Sequence, residues 1–244
     1  MEELAIISLD KVLGCVENLH KLTDTKSHDN NKRFIALNEL ARKMRTSLIA
    51  LHYIPYEEYP VLCSPANLLY RSMITDLMTS LMISQLDDKQ LENAFYFFDL
   101  QFAKSLKSAL EANIEIRKMT YPEDADAFEE QKKDYQEKIF DDLKECLKSA
   151  KGEDWKFNSC NSMKINGIDF NGQINQLYKI LKSYEEVAGY AYLYQYYRLL
   201  SQSEHFSIKG RFINHKQPFH DKYYNKVRWS IYLGTELLYN KYKS

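Results

Sequence analysis

The five prolines of this chain fall in three places, and that placement limits what its 244 residues can fold into. Pro55, Pro60 and Pro65 forbid a continuous helix where they cluster, Pro122 stops one, and Pro218 stands in a polar stretch. Between these breaks apolar residues recur at helical spacing, and seven glycines are too few for the many turns of an all-β chain. The pattern predicts an all-α protein, a single helical-bundle domain over residues 1–244. It should hold about seven or eight helices.

The breakers also place the elements. Glu2 to about Thr23 and Lys32 to His52 read as a helical hairpin within residues 1–60, split by the polar run Asp24–Asn31. A bundle over residues 62–244 follows, opening with a helix from Ala66 to Leu86 that has Pro65 in its first turn. Asp87 or Asp88 can cap the next helix, which should end before Tyr121-Pro122 and carry one apolar face through Leu91, Phe95, Phe98, Phe102, Leu106 and Leu110. Glu123 to about Lys151 reads as a charged surface helix. Residues 152–172, with Trp155, Phe157 and Ile165 among Asn, Ser and Gly, suit an ordered loop near 152–172 rather than a linker. Asn175 to about Ser203 is expected as a helix bent at Gly189, and Phe219 to Tyr242 as the last.

Composition excludes several classes. Cys15, Cys63, Cys146 and Cys160 form no C-x-x-C pair, so neither a zinc site nor a disulfide framework is signalled, and a reducing cytoplasm fits best. The opening Met1-Glu2-Glu3 is acidic and precedes no apolar run, unlike a secretory signal. Leu62–Leu86 is the most apolar stretch, but Arg71 and Asp76 interrupt it, so a buried helix explains it better than a membrane span. No Gly-rich phosphate loop, G-x-S-x-G turn or H-E-x-x-H pair occurs. His215 and His220 lack further ligands at a helpful spacing, and no metal or other cofactor is expected. Net charge is −1, yet Lys and Arg outnumber Asp and Glu by 8 to 2 from His205 to Ser244, while acids lead by 12 to 6 from Glu123 to Asp154. The basic end would favour a phosphate; both runs equally suit solvated helix faces.

Chemistry concentrates in Tyr196-Tyr197-Arg198-Leu199-Leu200-Ser201-Gln202-Ser203-Glu204-His205. On a helix, Arg198 and His205 are roughly 20° apart around the axis and about 10 Å along it, with Ser201 between them, so one anion could touch all three. Arg71 and Asp76 are the only charges from Leu62 to Leu86 and stand about 140° apart on a helix. Each therefore needs a partner on another element, and one should reach the Arg198 face, most simply Asp76 to Arg198 or His205. Six tyrosines lie between Tyr184 and Tyr197. Tyrosine can stack on bases, but Tyr190, Leu193, Tyr197 and Leu200 at helical spacing read first as a packing stripe.

The R-x6-H arrangement at Arg198 and His205 resembles the R-x4-6-H motif of the HEPN superfamily, helical bundles that include metal-independent ribonucleases of toxin and phage-defence systems. The wider pattern, Arg71, then Trp155, then Tyr197-Arg198-Leu199-Leu200-Ser201-Gln202-Ser203-Glu204-His205, is similar to a family of bacterial helical proteins related to that superfamily. The resemblance spans Leu62 to Lys243. It implies a HEPN-like core, a homodimer, RNA as ligand, an antitoxin or other protein as partner, and attack of an RNA 2′-hydroxyl on the adjacent phosphate. His205 would then move protons and Arg198 would stabilise phosphoryl charge, supported by Ser201, Tyr197, Arg71 and Asp76. The chain departs from the pattern in carrying Leu199 directly after the arginine, where a polar residue is usual, so binding without cleavage is a variant of the same reading. The competing reading is a non-enzymatic helical protein that binds another protein or a small anion, its Arg198, Ser201 and His205 cluster structural, with His205 capping the last turn and Arg198 pairing with an acid on a neighbouring helix.

Overall fold

Helix α1 (Leu9–Ser27) starts where Ser8 accepts a hydrogen bond from the Lys11 amide, and α2 (Lys32–His52) where Asn31 does the same for Arg33. They pack as the expected hairpin, joined by an Arg45–Glu17 ion pair at 3.0 Å and by Asn38, which donates to Asp24 at 3.1 Å. The computed structural model describes residues 5–28, 31–55, 63–135, 137–138, 163–170, 172–201 and 217–243. Among these the chain is all-α apart from one short hairpin.

The described residues gather into two compact units. The first joins residues up to Leu86 with those from Gln173 onward. Its centre is α3 (Cys63–Gln85), which packs against α2, α6 (Ile174–Lys182), α7 (Leu193–Ser201) and α8 (Gln217–Tyr242). Ala66, Tyr70, Met73, Ile74, Leu77, Met78, Leu81 and Met82 are fully buried, so α3 is lined with apolar residues on more than one face. Arg33 of α2 donates to the carbonyls of Ile83 at 3.3 Å and Leu86 at 2.7 Å, supplying a cation where the carbonyls of α3 run out. No helix among the described residues is long and apolar enough to cross a membrane.

The second unit spans Asp87–Gly172. Asp87 and Gln90 close a reciprocal capping box at the start of α4 (Asp88–Thr120), which stops before Tyr121-Pro122 as the proline requires. A single 3₁₀ turn (Pro122–Asp124) reverses the chain into α5 (125–135). Arg117 fastens the reversal, donating to Gln131 at 2.7 Å and lying 4.2 Å from the Phe128 ring centroid.

Three expectations change. Residues 163–170 of the expected loop form an antiparallel hairpin, β1 (Met163–Ile165) and β2 (Ile168–Phe170), because Asn166 (φ 49°) and Gly167 (φ 75°) supply a two-residue turn. Its Phe170 meets Phe97 and Phe98 of α4, each at 5.9 Å. The expected single helix over Asn175–Ser203 is two helices, since the Ser183 amide and hydroxyl both turn back to the Ile180 carbonyl and a 3₁₀ segment (Ala188–Tyr192) follows. On α4 the buried positions among the described residues are Leu91, Ala94, Phe97 and Ile114, while Phe102 is 60 % exposed. With aromatics at 95–98 in an unbroken run, spacing alone left the register of that face open.

Gly234 lets α8 approach α3: an added Cβ would stand 2.9 Å from Leu77 Cδ1 and 3.2 Å from the Tyr190 ring. Leu77 is fully buried and has little room to withdraw. Gly234→Val should therefore lower unfolding free energy by about 1–3 kcal/mol, checked by urea titration of the circular dichroism signal.

Candidate functional site

Helix α7 places Tyr194, Tyr197, Arg198 and Ser201 at i, i+3, i+4 and i+7, one stripe along its length. Leu193 and Leu200 are buried beside that stripe and fix its orientation. Arg198 is exposed in the last turn, where a cation also suits the helix dipole. The Ser201 hydroxyl donates to the Arg198 carbonyl at 2.7 Å, so its proton is engaged by its own helix. His205 and Trp155 lie outside the described residues.

Of the two charges on α3, Arg71 is the one that reaches α7. Its guanidinium donates to the Tyr197 hydroxyl at 3.0 Å and lies 4.7 Å from that ring's centroid, which holds the phenol in place beside Arg198. Asp76 makes no contact with Arg198 among the described residues, and His205, its other expected partner, lies outside them. Asp76 is 8 % exposed, the nearby cation that acts on it is Lys43 of α2, and Ser72 hydrogen-bonds its carboxylate one turn back along α3. The angular separation of the two charges explains the correction: with Arg71 turned to α7, Asp76 must face another neighbour. Its Oδ2 is buried without a hydrogen-bond partner.

The tyrosines divide into two sets. Tyr178 of α6 and Tyr194 of α7 face each other at 5.3 Å with Lys182 over Tyr178 at 5.5 Å, next to the stripe. Tyr192, Tyr196 and Tyr223 form an edge-to-face series at 5.7 and 5.9 Å that ties the 3₁₀ segment and α7 to α8, with burial raising the Tyr196 hydroxyl's pKa. That second set is packing.

A further polar group went unread in the sequence. Arg228 of α8, 7 % exposed, donates through Nε to the Tyr70 hydroxyl at 2.8 Å; Tyr70 stacks on Tyr224 at 4.7 Å, whose hydroxyl donates to Asn67 at 2.7 Å. This buried ladder joins α3 to α8. Arg228 belongs to the basic end of the chain, so part of that charge excess is enclosed in the fold, while Lys241 pairs with Glu186 at 2.9 Å on the surface.

Comparison with models of known families, with characterised proteins and with solved structures finds no match to this chain.

Asp76 gives a pH test of this arrangement. Burial pushes its carboxyl up to about 6, with Lys43 and Ser72 opposing only in part. The folded state thus binds the proton more tightly than the unfolded chain, and the contribution of Asp76 to stability falls as pH rises from the ordinary aspartate range to about 6, then levels off. Asp76→Asn should raise stability at pH 8 by about 1–3 kcal/mol and change little below about pH 4, measured as paired denaturation curves. An equal gain at both pH values would show that the carboxyl is not held protonated by burial.

Proposed function

We propose that this protein binds single-stranded RNA along the α7 stripe and cleaves it without metal, in the manner of the HEPN ribonucleases. The observation that carries the reading is the Arg71–Tyr197–Arg198 arrangement: one guanidinium fixes the phenol, and the next residue presents a second guanidinium to solvent. A phosphate is well matched by an exposed arginine, and the tilted Tyr178–Tyr194 pair beside Lys182 offers aromatic surface against which an unpaired base can stack. In the proposed reaction His205 takes the proton of the 2′-hydroxyl as it attacks the neighbouring phosphorus, the 5′-oxygen of the next nucleotide leaves, and Arg198 stabilises the charge on the phosphoryl oxygens. A HEPN-like core, a homodimer, an antitoxin or other protein partner and a defence role belong to the same proposal.

The second reading, binding without cleavage, is favoured by Ser201. Its hydroxyl is turned to the Arg198 carbonyl, which leaves Arg198 as the group of the α7 stripe positioned to receive an anion.

Purified chain incubated with labelled single-stranded RNA and EDTA should yield 2′,3′-cyclic phosphate ends. His205→Ala should abolish them, and Arg198→Ala should slow their appearance by roughly a hundredfold. Tyr194→Ala should weaken RNA binding by about tenfold with the fold intact by circular dichroism. RNA bound but uncut would select the second reading, and RNA neither bound nor cut would remove both.

A further inference from the structure

Residues 5–7 are not helical, and their main chain is held by two side chains one turn apart on α8. The Asn225 amide accepts from the Ile7 amide at 2.9 Å and donates to the Ala5 carbonyl at 3.2 Å. The Trp229 indole donates to that same carbonyl at 2.7 Å. A carboxamide is suited to this, because its acceptor and donor are adjacent and match the C=O and N–H that an extended strand presents along one edge. Of the three residues only Ile7 is buried, at 2 % exposed, while Ala5 is exposed and Ile6 is 87 % exposed. Lys11 lies over Trp229 at 5.6 Å and over Tyr232 at 5.0 Å, which steadies the indole from α1. Ser8, the cap of α1, follows immediately and separates this strap from the helix.

We infer that Asn225 and Trp229 form a peptide clamp that reads main chain, occupied in cis by residues 5–7 as a releasable latch, and able to take in trans an extended peptide with a branched aliphatic residue at the Ile7 position. The clamp is tolerant by construction. Three of its contacts are to backbone atoms that every non-proline residue carries, and one side chain, that of Ile7, is buried. Selectivity comes from that one apolar seat. The strap covers α8 and α1 rather than the α7 stripe, so the inference stands apart from the RNA proposal.

The full-length chain carrying Ile7→Glu keeps the clamp and evicts the strap, since a carboxylate has no place in a seat closed to water. A fluorescein-labelled peptide of residues 1–8 should bind this variant saturably by anisotropy, and about tenfold or more weaker when Asn225→Leu is added or when the wild-type chain, already occupied, is used. Equal binding to all three chains, or none to a natively helical Ile7→Glu chain, would overturn the inference. Where Ile7→Glu does not fold, hydrogen exchange of the wild-type chain decides: the Ile7 amide should exchange through a local opening insensitive to low urea, and exchange only with global unfolding would show a fixed structural segment instead.

Discussion

The burial of α3 is the constraint from which the rest of the first unit follows. A helix lined with Tyr70, Met73, Ile74, Leu77, Met78 and Leu81, all fully buried, needs neighbours on several sides, and α2, α6, α7 and α8 supply them. Polar groups on such a helix cannot be left to water and must be answered by those neighbours. Asn67 and Tyr70 are answered from α8 by Tyr224 and Arg228, Arg71 from α7 by Tyr197, and Asp76 in part by Lys43 of α2. Each answer fixes one helix against α3 in rotation as well as in distance. Gly234 shows how close the approach is, since even the methyl group of an alanine there would stand 2.9 Å from Leu77 Cδ1.

How far this was legible in the sequence depended on what kind of signal marked each feature. Helix ends set by proline or by a capping side chain were plain: α2 runs Lys32–His52 as the pattern predicts, and α4 begins after Asp87 and ends before Tyr121-Pro122. Features set by tertiary packing were not. The α6–α7 break depends on Ser183 bonding backward to Ile180, for which Gly189 was only a displaced hint. The β1–β2 turn did carry a local signal, Asn166-Gly167 between two short apolar segments, and it was missed because the surrounding Asn, Ser and Gly read as loop.

The candidate site was legible to the same depth. Periodicity put Arg198 and Ser201 on one face, and the scarcity of charge on α3 pointed to Arg71 and Asp76 as residues needing distant partners. It could not say which charge met which helix, because that depends on how α3 is rotated in the bundle, and apolar residues on several faces leave rotation unspecified. The assignment that emerged, Arg71 to α7 and Asp76 towards α2, is the one in which the 140° between them is used rather than bridged. Arg228 gave no sign at all, since one arginine in a basic final helix looks like surface charge.

The two arginines nearest the core illustrate why position, not residue type, decides what a guanidinium can do. Arg228 is enclosed, its Nε committed to Tyr70, and its removal would take a charged donor from a buried phenol. Arg71 is half-buried and serves as a brace, spanning a ring and its hydroxyl, so its charge stands close to Tyr197 and is only partly open to solvent. Arg198, one residue further on and turned about 100° around α7, has the exposure that the other two lack. Tyr197, held by the braced guanidinium, is next in the chain to the exposed one, so the two arginines are linked through a side chain whose position is already set.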